Sequence, residues 1–358
     1  MPLTWGLCLA TLNRRDALLE CVRLALSQSR PPSEIVIVDA SEDWSATREA
    51  VAALLPRGDA LRFCYEPAAI RSSAAQRNQA ARAASADILF LIDDDSFLYP
   101  DCAERILAVY EHPAAGDVVA VLGSERPGPP TATAKRGAEI DRKPRGDRRS
   151  SLYRRFKGSR LGQWFLREIL LEKVGAGLIP YDAPRLDGLP AGLELEGLRP
   201  VTLMPGFRTT ARRAVVLAEP YEEALRYYAS MEDLDASYRW RRHGLSVAVR
   251  EAAIYHHTAA SGRLPRRLVT ALQVMNAAFL VRKNGRDPAQ LKRQVRTLQW
   301  RRLLAEVLKD AVSRRWDFPQ VRGVLYAMRH WRRIWDLDRD ALDEAYPTLQ
   351  REMMETLR

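Results

Sequence analysis

Four short apolar runs, Trp5 to Thr11, Glu34 to Asp39, Leu61 to Tyr65 and Asp87 to Ile92, recur along the N-terminal part of the chain. Runs this short and this apolar read as strands buried on both faces, because a strand with one wet face alternates apolar and polar residues. Between them, Asp16 to Gln28 carries Leu18, Leu19, Val22 and Leu26 on one helical face, and Ala46 to Leu55 and Ser72 to Ser85 also read as helices. Strands alternating with helices imply right-handed crossovers and a parallel sheet that binds ligands beyond its carboxyl edge. The expected fold class is therefore α/β, a mainly parallel central sheet flanked by helices.

The fourth run ends in three consecutive aspartates, Asp93, Asp94 and Asp95. Three carboxylates at one strand end repel one another unless a cation shares the site. Hard oxygen donors suit Mg2+ or Mn2+, and Mg2+ is usually held by one or two carboxylates plus substrate phosphates. The same residues, followed by Ser96 and Tyr99-Pro100-Asp101, also suit a solvated turn or a helix N-cap. The triplet alone leaves both readings open.

A net charge of +11 favours anionic partners: nucleic acid, phosphorylated ligands or acidic lipid head groups. Cys8, Cys21, Cys64 and Cys102 are scattered without a CxxC pair, which argues for a reducing compartment and against zinc. No basic and apolar leader precedes Trp5, so no signal peptide is expected. Leu268 to Val281, the longest apolar stretch near the C-terminus, contains Thr270, Gln273 and Asn276 and is too short to span a bilayer. A cytoplasmic location follows as the expectation, with peripheral contact at the inner face of the membrane.

Val118 to Gly123 reads as another strand, and Glu125 to Ser151, crowded with Pro, Gly, Lys and Arg, as a mobile basic loop or an inert insertion. An amphipathic segment, Leu152 to Val174, follows. Tyr221 to His243 reads as a helix that contains Glu232, Asp233 and Asp235 and stops at Gly244; Ser246 to Tyr255 then forms a strand ending at His256-His257. Beyond Arg263 the chain is helical. Val321, Val324, Leu325, Met328, Trp331 and Trp335 share a helical face beside Arg322, Arg329, Arg332 and Arg333, suited either to a lipid interface or to packing on its own domain. The expected division is a catalytic domain over 1–262, comprising a nucleotide-binding half (1–123), a basic loop (124–160) and an acceptor half (161–262), with a helical extension over 263–358.

Taken in order, Thr11-Leu12-Asn13-Arg14, Asp39, Arg77-Asn78, Asp93-Asp94-Asp95, Gly206, Glu232-Asp233 and His256 resemble the family 2 glycosyltransferases, inverting enzymes with a GT-A fold. The resemblance runs from about Leu3 to Arg263. Each motif is short; their order and separation carry the likeness. It implies transfer of a sugar from a nucleoside diphosphate sugar to a hydroxyl acceptor, such as a lipid-linked glycan or polysaccharide precursor, with Mn2+ or Mg2+ as cofactor.

The resemblance implies roles residue by residue. Asp95 matches the last acid of the family's DxD motif, the metal ligand, with Asp93 nearer the ribose and Asp94 orienting its neighbours. His256 matches a further contact to metal or phosphate, and His257 competes with it because a one-residue shift turns a strand side chain to the other face. Thr11, Asp39 and Arg77 match positions lining the nucleotide pocket. Asp233 matches the general base, which burial among acids would tune upward; the cluster also suits helix-dipole stabilisation or pairing with Arg239, Arg241 and Arg242. Two departures stand out: Ile70-Arg71-Ser72-Ser73-Ala74-Ala75 replaces a glycine-rich stretch, and Ala218-Glu219-Pro220-Tyr221 replaces the glycines before the Glu-Asp motif.

A nucleotidyltransferase on a related sheet is disfavoured, because Leu12-Asn13-Arg14-Arg15-Asp16 stands where a glycine-rich phosphate loop is expected. A basic nucleic-acid-binding protein would use the arginine-rich segments and have no need of the aspartates, which makes nucleic acid the weaker partner.

Overall fold

The computed structural model describes residues 2–58, 60–131, 158–172, 175–181, 188–258 and 264–358. Most of the basic loop read at 124–160 lies outside the described residues. Two compact units divide the chain, one comprising 1–143, 184–222 and 236–263, the other 144–183, 223–235 and 264–358.

In the first unit, β1 (Trp5–Thr11), β2 (Glu34–Asp39), β3 (Arg62–Pro67) and β4 (Ile88–Phe90) pair in parallel in the order β3-β2-β1-β4. Helices α1 (Arg15–Leu26), α2 (Trp44–Ala52) and α3 (Ser73–Ala83) make the crossovers that parallel pairing requires. Leu7, Leu9, Ile35, Ile37 and Phe90 are wholly buried in the core, where Trp5 and Phe90 ring centroids lie 4.3 Å apart. β1, β2 and β4 are covered on both faces, whereas β3, at the edge of the sheet, is largely half-buried or exposed.

The sheet continues through β8 (Thr209–Arg212), β6 (Val118–Glu125), β9 (Leu245–His256) and β5 (Ser96–Leu98), with β7 (Leu198–Pro200) alongside β9. Helix α4 (Cys102–Tyr110) links β5 to β6. β8 is antiparallel to both β4 and β6, and β5 to β9, so the sheet is mixed, its parallel character residing in β3-β2-β1-β4 and in the β6–β9 pair. Gly244 precedes β9 because a Cβ there would lie 2.2 Å from the Asp117 carbonyl oxygen; the bare backbone lets Leu245 donate to that oxygen at 2.7 Å.

After α5 (Arg160–Glu168), α6 (Arg213–Ala218) follows β8, and α7 spans Glu232–Trp240. The helix expected over Tyr221 to His243 is therefore shorter. Tyr227, Ala229 and Met231 adopt positive φ values of 60°, 41° and 82°, which no right-handed helix accommodates, and the helix begins only at the acids.

The second unit contains α5, α8 (Arg266–Asn284), α9 (Pro288–Val312), α10 (Pro319–Trp335) and α11 (Leu342–Thr356). Phe279 stacks on Tyr346 with centroids 4.2 Å apart, and buried Asn276 accepts from Tyr346 Oη at 2.6 Å while donating to Ser230 O at 2.8 Å. Gly323 marks the tight crossing of α8 and α10, since a Cβ there would lie 2.3 Å from Arg267 O. Of the face of α10 read as suited to lipid or to packing, Val324, Trp331 and Trp335 are buried, Val321 and Met328 half-buried and Leu325 exposed. Among the described residues, no helix is long and apolar enough to cross a membrane.

Candidate functional site

The end of β4 makes a turn in which Ser96 N donates to Asp93 O at 3.0 Å, and β5 then pairs antiparallel with β9 so that Ser96 lies opposite His256. The triplet thus forms the turn that its composition also suits. Asp93, Asp95 and His256 each present a ligand atom within 4.8 Å of the others. His256 Nε2 is 3.3 Å from Asp95 Oδ1 and 3.9 Å from Asp93 Oδ2. Two carboxylates and an imidazole form a donor set that fits Mn2+, and with less preference Mg2+.

Asp94 points elsewhere. Its Oδ2 accepts from Thr11 Oγ1 at 2.7 Å and its Oδ1 from Arg14 at 2.9 Å. Burial pushes the Asp94 carboxyl up to about 7; Arg14 opposes that shift, Asp95 adds to it and the Thr11 hydroxyl opposes it. Arg14 also stands 3.7 Å from Asp95 Oδ2. Arg14 was not singled out as a site residue from sequence. Its signal is its position just past the carboxyl end of β1, the strand beside β4, after a turn in which Asn13 takes a φ of 53°.

Arg77, on α3, pairs with Asp93 Oδ1 at 2.6 Å and lies over the Tyr221 ring. The neighbouring Asn78 holds the Tyr221 backbone through two bonds, donating at 2.8 Å and accepting at 2.9 Å. The Arg77-Asn78 pair therefore aims one guanidinium at the triplet while anchoring the loop that carries Tyr221.

His256 and His257 separate cleanly. His256 stacks on Phe207 with centroids 4.4 Å apart, whereas His257 is buried on the opposite face against Phe97 at 5.4 Å. Burial pulls the His256 imidazole down, but the bond to Asp95 and the charges of Asp95 and Asp93 outweigh it and leave its pKa above the usual value. Phe207 escapes sequence reasoning because nothing local links it to a histidine on another strand.

The other expected residues fall as follows. Asp39 is buried, with Oδ2 accepting from Tyr65 Oη at 2.6 Å and Oδ1 from Ser41 N at 2.8 Å. Asp233 stands in the first turn of α7 and belongs to the second unit, as do Glu232 and Asp235. Asp235 is wholly buried and accepts from Tyr181 Oη, a structural role. Arg239, on α7, and Arg242, just beyond it, reach Glu219 at 2.7 and 3.2 Å and so serve the Glu219 loop.

Residues 7–173 match glycosyl transferase family 2. No curated protein sequence matches the chain. Among solved structures, the mannosyltransferase PcManGT from Pyrobaculum calidifontis in complex with GDP-Man and Mn2+ aligns with TM-score 0.49 and 14% identity, over 100% of this chain and 84% of that one. S. aureus TarS in complex with UDP aligns with TM-score 0.45 and 14% identity over 91% of both chains. GalNAc-T7 with UDP, GalNAc and Mn2+ aligns with TM-score 0.49 and 11% identity, over 78% of this chain and 48% of that one.

Proposed function

We propose, for a chain whose residues 7–173 belong to glycosyl transferase family 2, that it moves a sugar with inversion from a nucleoside diphosphate sugar to a hydroxyl of a glycan or lipid-linked precursor. The observation that carries the reading is the convergence of Asp93, Asp95 and His256 at one edge of the sheet. Asp93, Asp95 and His256 would hold a divalent cation, Mn2+ or Mg2+. That cation, when bound, supplies Lewis-acid stabilisation of the departing diphosphate.

The residues around the cluster prepare it. Arg77 takes one oxygen of Asp93 and leaves the other toward His256; Arg14 and Thr11 occupy both oxygens of Asp94, so the middle acid orients its neighbours. Phe207 fixes the plane of the His256 ring. Thr11 and Asp39 support the nucleotide side of the sheet edge. Asp233 is the proposed base: it takes the acceptor O–H proton as the acceptor oxygen bonds to the anomeric carbon and the nucleoside diphosphate leaves with the electron pair.

The test is release of nucleoside diphosphate from a panel of nucleoside diphosphate sugars, with Mn2+ or Mg2+ and candidate hydroxyl acceptors. Folded Asp95→Asn and Asp233→Asn variants should lose turnover; full activity in both would sink the mechanism.

A further inference from the structure

The second unit holds a groove between α9 and α10 of about 640 Å3, lined by Arg296, Arg301, Arg332, Trp300, Trp331 and Gln299, among others. Gln299 is 2% exposed, and its Nε2 has no hydrogen-bond partner among the described residues. Arg301 reaches Glu168 at 3.1 Å, whereas no carboxylate lies within ion-pair distance of Arg296 or Arg332 among the described residues. A concave site with guanidinium groups, aromatic walls and a buried amide donor is chemistry for a phosphate ester.

What carries the phosphate is indicated by the surface beside the groove. Trp300 is 60% exposed, and Leu304, 54% exposed, sits one turn further along α9. Exposed Val307, Val312 and Trp316 continue toward the α9–α10 connection, and exposed Leu325 stands about one turn from the groove residue Met328 on α10.

Charge along this hairpin has one sign. Residues 288–335 contain twelve Lys and Arg against three carboxylates, Glu306, Asp310 and Asp317. Glu306 and Asp310 are wholly buried: Glu306 pairs with Arg302 at 2.6 Å, and Asp310 accepts from Gln320 N and Val321 N at 3.0 and 3.2 Å, capping α10. Only Asp317 offers an exposed carboxylate. Trp and Leu exposed beside unneutralised arginines match a bilayer interface carrying anionic head groups.

We propose that this hairpin docks on an anionic phospholipid surface, with a head-group phosphate in the Arg296–Arg332 groove and Trp300 and Leu304 entering the interface. The proposal stands independently of the transfer reaction. It centres membrane contact on the outward face of α9 rather than on the apolar face of α10, where Val324, Trp331 and Trp335 are buried.

The full chain should sediment with vesicles of phosphatidylcholine and phosphatidylglycerol, and not with phosphatidylcholine alone. Each groove arginine should contribute about fivefold, so Arg296→Gln with Arg332→Gln should weaken binding about 25-fold. Trp300→Ser should weaken it as well. These side chains are exposed, and circular dichroism melting should show the variants folded. Arg322→Gln with Arg329→Gln removes the same charge outside the groove and should cost much less. Equal loss in the two double variants, equal binding to neutral vesicles, or no vesicle binding by the unaltered chain overturns the proposal. Thermal protection by glycerol phosphate without vesicle binding also overturns it, marking a soluble-phosphate site instead.

Discussion

His256 Nε2 lies 3.3 Å from Asp95 Oδ1 because the strand that follows Asp95 folds back against the strand that ends at His256. The contact joins residues far apart in the chain through a three-residue strand, and it completes the donor set with Asp93.

Mn2+ affinity, followed by calorimetry on metal-free protein, tests that set directly. Asp95→Asn should lower affinity by at least tenfold, and Phe207→Ala, which frees the imidazole plane, by about tenfold, the usual scale for a group that orients a ligand. Chelation should abolish sugar transfer and Mn2+ should restore it.

Arg14 compensates two buried acids, Asp94 and Asp95, which are 2% and 1% exposed. Removing one partner of a buried ion pair leaves an uncompensated charge. Arg14→Met should therefore cost about 3 kcal/mol in urea unfolding, whereas the same change at exposed Arg15 should stay within about 0.5 kcal/mol.

Acid should expose the role of Glu34. Burial pushes its carboxyl up, but the N–H groups of Ala86 and Ser85 and the Arg62 guanidinium outweigh burial and hold it below the usual value. A group depressed on folding stabilises above its unfolded pKa, about 4.3, and that stability is lost as pH falls through the lower folded value. Urea midpoints should thus fall below about pH 4, and Glu34→Gln should flatten that part of the profile.

Gly323→Val should destabilise the second unit by about 1–3 kcal/mol, the cost of overpacking, because its added carbons meet the Arg267 carbonyl across the helix crossing. Thermal unfolding is the measurement.

Asp233→Asn should lower turnover by a factor of about 10² to 10⁴ while leaving nucleotide-sugar binding intact. A variant that binds donor normally and turns over normally would remove Asp233 from the base role.

The parallel half of the sheet was legible because β1 and β2 are almost wholly apolar runs whose burial is written into their composition. β6 and β9 were legible as strands, but β5 and β8, three and four residues long, carry no readable period, so the antiparallel pairings they make were not. The triplet was legible as an acidic strand end, and Asp94 as the acid that orients its neighbours; that Thr11 and Arg14 on another strand end hold Asp94 was not. The helix over Tyr221 to His243 was misjudged in length because local propensity does not reveal the positive φ values at Tyr227, Ala229 and Met231. The apolar face of α10 was visible and its occupant was not, because what covers a helix depends on the fold.

Between Leu122–Ala248 and Ser124–Ala253, β6 advances two residues while β9 advances five, and Arg250 and Glu251 both face solvent there. The excess is odd, so it inverts the side-chain phase of everything downstream. An uninterrupted ladder would also slide the strand end by three residues, so that neither imidazole would stand opposite Ser96. The irregularity in mid-strand thus sets which residue of β9 arrives at the carboxylates.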